Sequence, residues 1–391
     1  MHTYSQHYLP KLQAYQPELL QRLALLVNID SGTGQVQGIN QIMAYLEQWL
    51  TTMGFTVTLH EAEALGYNLV ARMQGTGSLR LLLVGHVDTV YGPGSALTQP
   101  FQIRDDLAYG PGVIDMKSGV LMGIYGLLTL LESGFDAFGE LIIVFNNDEE
   151  VGSIGSAPLL QALALQADVG LVLEGSRSPE IITHARKGAD KYTLEVFGIP
   201  AHSGAEPHKG RSAVIELAHK MIAIHNLNTL FPGVTFNVTR ISSSELFNIV
   251  PDFARCFISV RSYTEQGLNT AAEALEKIAA GCSIPDTSAR LLRTRGRRPY
   301  EENAEILRLV EMAKLEGHAL GLTMKHERKG GLSDANLLME VGLPTLDSLG
   351  PAGGGMHDLK REYLHLDSIP QRGALLAGLI QQLCLSKSTG E

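Results

Sequence analysis

At 391 residues, the chain exceeds the size at which a single hydrophobic core usually stops growing, so two domains are expected. Its composition, 45% hydrophobic and 18% charged, is that of an ordinary globular protein and is too apolar for long disorder. The formal net charge of −10 argues against a nucleic-acid partner, because phosphate binding needs basic surface.

The dense basic run RLLRTRGRR (Arg290–Arg298) is short and reads as a solvated strand edge or hinge. Three cysteines, Cys256, Cys282 and Cys384, form no CxxC and no even set, which fits a reducing compartment better than a disulfide framework. The opening MHTYSQHYLPKLQAYQPELL lacks a cationic segment followed by an apolar one, so no export signal is expected. No apolar run is expected to span a bilayer. A cytoplasmic protein that binds neither membrane nor nucleic acid is the expectation.

Along the chain, apolar helical spacing runs through Ile39–Leu50, and strands are expected at Thr56–Leu59, Asn68–Met73 and Leu79–Asp88. A long apolar helix fits Val120–Leu131, followed by a strand at Leu141–Asn146, a helix at Ala157–Leu165 and a strand at Val169–Leu173. Such alternation implies a sheet with helices on both faces. The pattern changes near Lys187: KYTLEVF (Lys191–Phe197) alternates polar and apolar residues, as a half-exposed strand does. A helix at Ala213–Asn226, strands at Thr235–Ile241 and Ala254–Val260, a helix at Thr270–Ala280 and a strand at Ala289–Arg293 complete a β-α-β-β-α-β order. That is the order of a ferredoxin-like unit, here an insertion over 187–295 of about 110 residues. It would divide a catalytic α/β domain into parts at 1–186 and 296–391. The second part resumes with Ala304–Leu315, Asp334–Glu340, Pro344–Leu349 and Ile369–Cys384.

The stretch LLLVGHVDTV (Leu81–Val90) shows where chemistry gathers. Alternation along a strand puts His86 and Asp88 on one face at its carboxyl end, where open α/β sheets build their sites. Other polar groups recur at comparable places: Asp115 in GPGVIDMKSG, Asp148, Glu149 and Glu150 in FNNDEEVGS, Glu174 in LVLEG and His357 in GGGMHD. Each has an ordinary reading alone: a satisfied polar pair, a solvated turn, a helix cap or a salt-bridge partner. Their recurrence at one predicted edge, segment after segment, points to a site. Imidazoles with carboxylates suit zinc, and equally cobalt or manganese. Two divalent cations carry four positive charges, which three ligating carboxylates and one hydroxide would balance, so the charge count favours two ions. Adjacent acids at a strand end diverge, so one of Glu149 and Glu150 would bind metal while the other faces the reacting water. Asp88 could accept a hydrogen bond from the second nitrogen of His86 and fix its tautomer.

The motifs GHVDTV, AYGPGVIDMKSG, NNDEEVGSIGS, LEG, GIPAHSG and GPAGGGMHD together resemble the M20 family of dinuclear metallopeptidases, most of all its glutamate carboxypeptidase (carboxypeptidase G) branch. The resemblance extends from about Leu20 to Ile380. It implies a mixed-sheet catalytic α/β domain with an inserted ferredoxin-like lid that also forms the dimer interface, and two divalent metal ions per subunit. It implies that His86 and Glu174 hold one ion, Glu150 and His357 the other, and that Asp115 bridges both. Asp88 would orient His86, and Glu149 would act as general base and acid. In the lid, His202 would support the oxyanion in the neighbouring subunit's site, while Asn248 and Arg261 would hold the substrate. The loop after Asp115 reads MKSGV where a double glycine is common in the family.

The implied activity is hydrolysis of an amide next to a free carboxylate. An N-acyl-amino-acid deacylase of the acetylornithine or succinyl-diaminopimelate type, or a dipeptidase, would use the same machinery. A non-catalytic protein on this scaffold would lack the base or the bridging ligand, and every such position is filled. The segment SGTGQVQG (Ser31–Gly38) invites a nucleotide-binding reading, but its glycines miss the G-x-G-x-x-G spacing.

Overall fold

The computed structural model describes residues 3–388. The chain divides into two compact units. The first comprises Met1–His184, Glu302–Arg328 and Ser333–Glu391, and the second Ala185–Glu301 with the short return Lys329–Leu332.

The first unit is built on a six-stranded mixed sheet. Its order is Thr56–Glu61, Tyr67–Gln74, Glu140–Asn146, Arg80–His86, Val169–Val172 and Thr345–Leu346. The first two strands pair antiparallel, and Tyr67–Gln74 pairs antiparallel with Glu140–Asn146. From there on the pairing is parallel, with Arg80–His86 between Glu140–Asn146 and Val169–Val172. Every residue from Leu81 to His86 is buried, as a central parallel strand requires when both faces are covered. Leu81 and Leu83 join the main apolar core, and Leu82 and Val84, equally buried, point to the opposite face. That core is completed by the helices Ser5–Val27, Val36–Thr52, Ser118–Glu132, Ala304–Ala319 and Ser368–Ser388. The mixed α/β sheet is thus the architecture expected.

Several elements differ from the sequence reading. The N-terminal segment, which carried no helix prediction, is a 23-residue helix with Pro10 and Pro17 inside it. Its buried Tyr8, Leu12, Leu19, Leu23 and Leu26 form a stripe against the core, so packing overrides the cost of two prolines. Val113–Glu132, 20 residues with a mean hydropathy of 1.4 over an 18-residue stretch, is long and apolar enough to cross a bilayer, contrary to the expectation for apolar runs. Of that stretch 94% is buried within the protein, which is the signature of a core helix. Its regular part begins at Ser118, because Asp115 and Met116 have non-helical backbone. Short strands at Gln102–Arg104, Leu107–Tyr109, Gly353–Gly354 and Tyr363–His365 form a small antiparallel sheet that no periodicity announced.

The second unit has the strand order Thr235–Ser243, Phe253–Ser262, Gly188–Phe197 and Ser288–Arg295, all antiparallel. Helices Ala213–Leu230 and Glu265–Ala280 pack on one face, burying Leu217, Ile224, Leu268 and Leu275 against Tyr192, Leu194, Cys256 and Ile258. Both helices start on side-chain caps: Ser212 accepts from the Ile215 amide and Thr264 from the Gly267 amide. With two helices on a four-stranded sheet in β-α-β-β-α-β order, this is a ferredoxin-like unit. The basic run lies partly on its edge strand, where Arg290 pairs with Glu195 at 2.6 Å and Arg293 with Asp190 at 2.5 Å. All three cysteines are free thiols.

Candidate metal centre

The parallel arrangement of three neighbouring strands decides where the polar residues meet. His86 ends the central strand in register with Asn146, so Glu149 and Glu150 follow the adjacent strand at the same edge. Glu174 lies two residues beyond the strand on the other side. The small antiparallel sheet then contributes the remainder: Tyr363 pairs with Tyr109, which brings the loop of His357 beside the loop of Asp115. Gly119 marks how tightly these segments pack, since a Cβ there would come within 2.1 Å of the Leu173 carbonyl.

Asp115 sits between the two histidines. Its Oδ1 is 3.3 Å from His86 Nε2, and its Oδ2 is 3.2 Å from His357 Nε2. On one side Glu174 Oε1 is 3.6 Å from His86 Nε2; on the other Glu150 Oε2 is 3.4 Å from His357 Nε2. Ligand-capable atoms of His86, Asp115 and Glu150 lie within 4.8 Å of one another, and so do those of His86, Glu149 and Glu174. Both adjacent glutamates thus lie near His86, Glu150 on the side of Asp115 and His357 and Glu149 on the side of Glu174.

The residues behind this ring fix its geometry. His86 Nδ1 hydrogen-bonds the backbone oxygen of Asp88 at 3.0 Å, with the Asp88 carboxylate farther away at 3.4 Å. The backbone carbonyl, which no side-chain pattern reveals, is thus the nearer partner of the ring. It leaves Nε2 free of a proton in the neutral ring. The Asp88 carboxylate accepts instead from the amides of Glu149 at 3.1 Å and Glu150 at 3.2 Å, and from Thr33 Oγ1 at 2.7 Å. Thr33 belongs to the segment that invited a nucleotide reading; here it braces Asp88. Glu362 accepts from the amides of Gly112, Ile114 and Asp115 and from the Tyr91 hydroxyl. Lys117 is buried and donates to the carbonyls of Leu26 and Ile29, and burial brings its ammonium down to about 7. The sequence reading missed Thr33, Tyr91 and Glu362, because braces of this kind share no residue type.

The electrostatics of the polypeptide by itself are those of an anionic cluster. Burial, reinforced by the charge of Asp115, pushes Glu150 up to about 9. Burial opposes protonation of His86, yet Asp115, Asp88 and Glu174 raise its pKa well above the usual imidazole value. Asp115 is raised by burial but held far below the carboxylate range by the close imidazoles of His357 and His86. The arrangement fits divalent cations. His86 Nε2 is buried and faces two carboxylate oxygens, yet makes no hydrogen bond among the described residues. A buried nitrogen without a partner is costly, and a metal ion satisfies it while relieving the carboxylate repulsion.

His202, Asn248 and Arg261 belong to the second unit. His202 is exposed, and its Nδ1 accepts from the amides of Gly204 at 3.1 Å and Ala205 at 3.0 Å. The neutral ring must then carry its proton on Nε2, which makes it an outward donor. The backbone oxygen of Asn248 accepts from the Ser203 amide at 2.9 Å, tying the two loops together. Arg261 is half-buried and donates to the Gly330 carbonyl at 3.0 Å.

Residues 82–382 match the model of peptidase family M20/M25/M40. Carboxypeptidase G2 from Pseudomonas sp. (strain RS-16) is 34% identical over 379 residues, covering 95% of this chain and 91% of that protein. Succinyl-diaminopimelate desuccinylase from Dechloromonas aromatica (strain RCB) is 26% identical over 362 residues, 87% of this chain and 93% of that protein. Among solved structures, aminopeptidase PepT from Bacillus cereus ATCC 10987 shares the fold with a TM-score of 0.82 at 23% identity, covering 94% of this chain and 98% of that one. Sequence across most of the length, and the fold with it, thus lead to one conclusion: the chain belongs to peptidase family M20/M25/M40, a family of metal-dependent hydrolases of peptide or amide bonds.

Proposed function

We propose that this hydrolase cleaves an amide bond adjacent to a free carboxylate, in the manner of a glutamate carboxypeptidase, with two divalent cations per subunit. The observation that carries the dinuclear reading is Asp115, whose two oxygens lie 3.3 Å and 3.2 Å from different histidines. His86 and Glu174 would hold one ion and Glu150 and His357 the other, with Asp115 shared. Zinc fits this donor set best, and cobalt or manganese can use it too. When bound, the ions supply Lewis acidity toward the amide carbonyl and acidify a water molecule.

The remaining roles belong to the chain itself. Glu149 takes the proton of the attacking water and delivers it to the departing nitrogen. Asp88 positions the amides of both glutamates and, through its backbone oxygen, the ring of His86. His202, with its proton on Nε2, donates to the oxyanion. We assign it to the site of a second copy in a homodimer, as the resemblance implies. Arg261 binds the substrate carboxylate, its fork matching both oxygens, and Asn248 assists.

Similarity to carboxypeptidase G2 over 95% of the chain supports the carboxypeptidase reading. Similarity to succinyl-diaminopimelate desuccinylase over 87% favours an N-acyl-amino-acid deacylase as the second reading, with dipeptidase activity on the same machinery. A panel of N-acyl-glutamates, acetylornithine, succinyl-diaminopimelate and simple dipeptides separates them. Preferred turnover of acyl-glutamates is expected; preferred turnover of either diamine derivative would establish the second reading.

A further inference from the structure

Three loops of the first unit carry the metal-ligand candidates: the segment from His86 to Tyr91, the one around Asp115, and the one from Gly353 to Glu362. All three meet at a single carboxylate, Glu362, which is only 1% exposed. Its Oε1 accepts from the Ile114 amide at 3.0 Å and the Asp115 amide at 3.3 Å. Its Oε2 accepts from the Gly112 amide at 3.1 Å and the Tyr91 hydroxyl at 2.5 Å. An ionised carboxylate has about four acceptor positions, so this one is fully used. Burying an acid is costly unless its lone pairs are satisfied in this way.

His357 shows why such an anchor is needed. Its side chain is 58% exposed, so packing does not hold it. Besides the contact of its ring with Asp115, what holds it is the turn on which it sits. Asp358 donates its amide to the Gly355 carbonyl at 3.0 Å, and Glu362 donates its own to the Asp358 carbonyl at 2.9 Å. Gly355 has a φ of +71°, and a Cβ there would come within 2.0 Å of the Arg361 carbonyl, so the turn closes on itself only with glycine at this place. The far end of the turn is Glu362, whose side chain reaches across to the amides beside and of Asp115.

We propose that Glu362 is a positioning residue: it locks the turn of His357 to the loop of Asp115, so that the shared carboxylate presents one oxygen to each half of the centre. Glu362 touches neither candidate ligand side chain, and it acts through backbone amides and loop register. The inference rests on the dinuclear reading given above.

The test is a calorimetric titration of the full-length protein, stripped of metal, with cobalt(II), together with the visible absorption spectrum of the loaded protein. Wild type is expected to take up two ions per chain. Glu362→Gln is nearly isosteric but turns an amide N–H₂ toward backbone N–H groups. It should bind at least one ion about 10–100-fold more weakly, the scale found for partners that orient metal ligands, and should shift the cobalt absorption bands. Tyr91→Phe removes one donor of four and should weaken binding in the same direction, to a smaller extent. Wild-type affinity and spectrum in folded Glu362→Gln would overturn the proposal. If that variant does not fold, unchanged affinity and spectrum in Tyr91→Phe overturn it instead. A wild-type chain that takes up fewer than two ions overturns the dinuclear reading itself, whichever way the variants compare with it.

Discussion

Glu149 and Glu150 differ by one position and by everything that matters for their chemistry. Both amides are held by the Asp88 carboxylate, so the backbone is fixed while the side chains part. Glu150 faces His357, and Glu149 faces His86 and Glu174. In the roles proposed above, Glu149 should matter for proton transfer and much less for metal retention. Glu149→Ala is expected to lower turnover by at least about 100-fold, the lower end for a general base, while elemental analysis finds its metal content unchanged; near-normal turnover would remove Glu149 from the mechanism. The candidate ligands were legible in the sequence because histidine and carboxylate are the residue types metals select, and because each follows a recognisable strand or glycine-rich loop. The residues behind them were not. Thr33 is one hydroxyl in a loop that invited a different reading, and Glu362 stands five positions beyond His357 in no pattern. A residue that acts by accepting backbone amides can be any short acceptor, and its partners are set by tertiary structure.

Apart from the helix Ser5–Val27, whose Pro10 and Pro17 hide it, the longer elements were legible because each is amphipathic or continuously apolar over enough residues to establish a period. Arg80–His86 and Asp334–Glu340 are examples. The short strands of the small antiparallel sheet were not, since Gly353–Gly354 or Tyr363–His365 is too short to show alternation, and these bring His357 to Asp115. The helix Ala213–Leu230 shows a further device hidden from pattern reading. Its buried Glu216 accepts from the amides of Ser283 at 2.9 Å and Ile284 at 2.7 Å and pairs with Lys220 at 3.1 Å. Burial raises its pKa, but these hydrogen bonds and Lys220 win, and the net shift is downward. A carboxylate with a depressed folded pKa stabilises the fold above its unfolded pKa, and this stabilisation disappears as pH falls through the folded value. Glu216→Gln should thus destabilise the second unit at neutral pH by about 1–3 kcal/mol, the scale of a hydrogen-bonded charge. In urea unfolding followed over pH, its deficit against wild type should shrink once pH drops below the ordinary glutamate range. A deficit that is constant down to strong acid would show that the charge of Glu216 contributes nothing.

At the scale of the whole chain, the candidate ligands all belong to the first unit, and His202, Asn248 and Arg261 to the second. The mixed sheet gathers ligands from three segments at one edge, and the small antiparallel sheet brings in the two that carry Asp115 and His357. None of these segments makes a centre alone. The account stands on the claim that two cations are held together by this scattered set, with Asp115 shared between them. The most direct measurement is the metal content of the protein after equilibration with zinc and removal of free ions, compared with that of Asp115→Ala. We expect two equivalents per chain in the wild type and a loss of at least one in the variant. A single equivalent or none in folded wild-type protein, or two retained without Asp115, would contradict it.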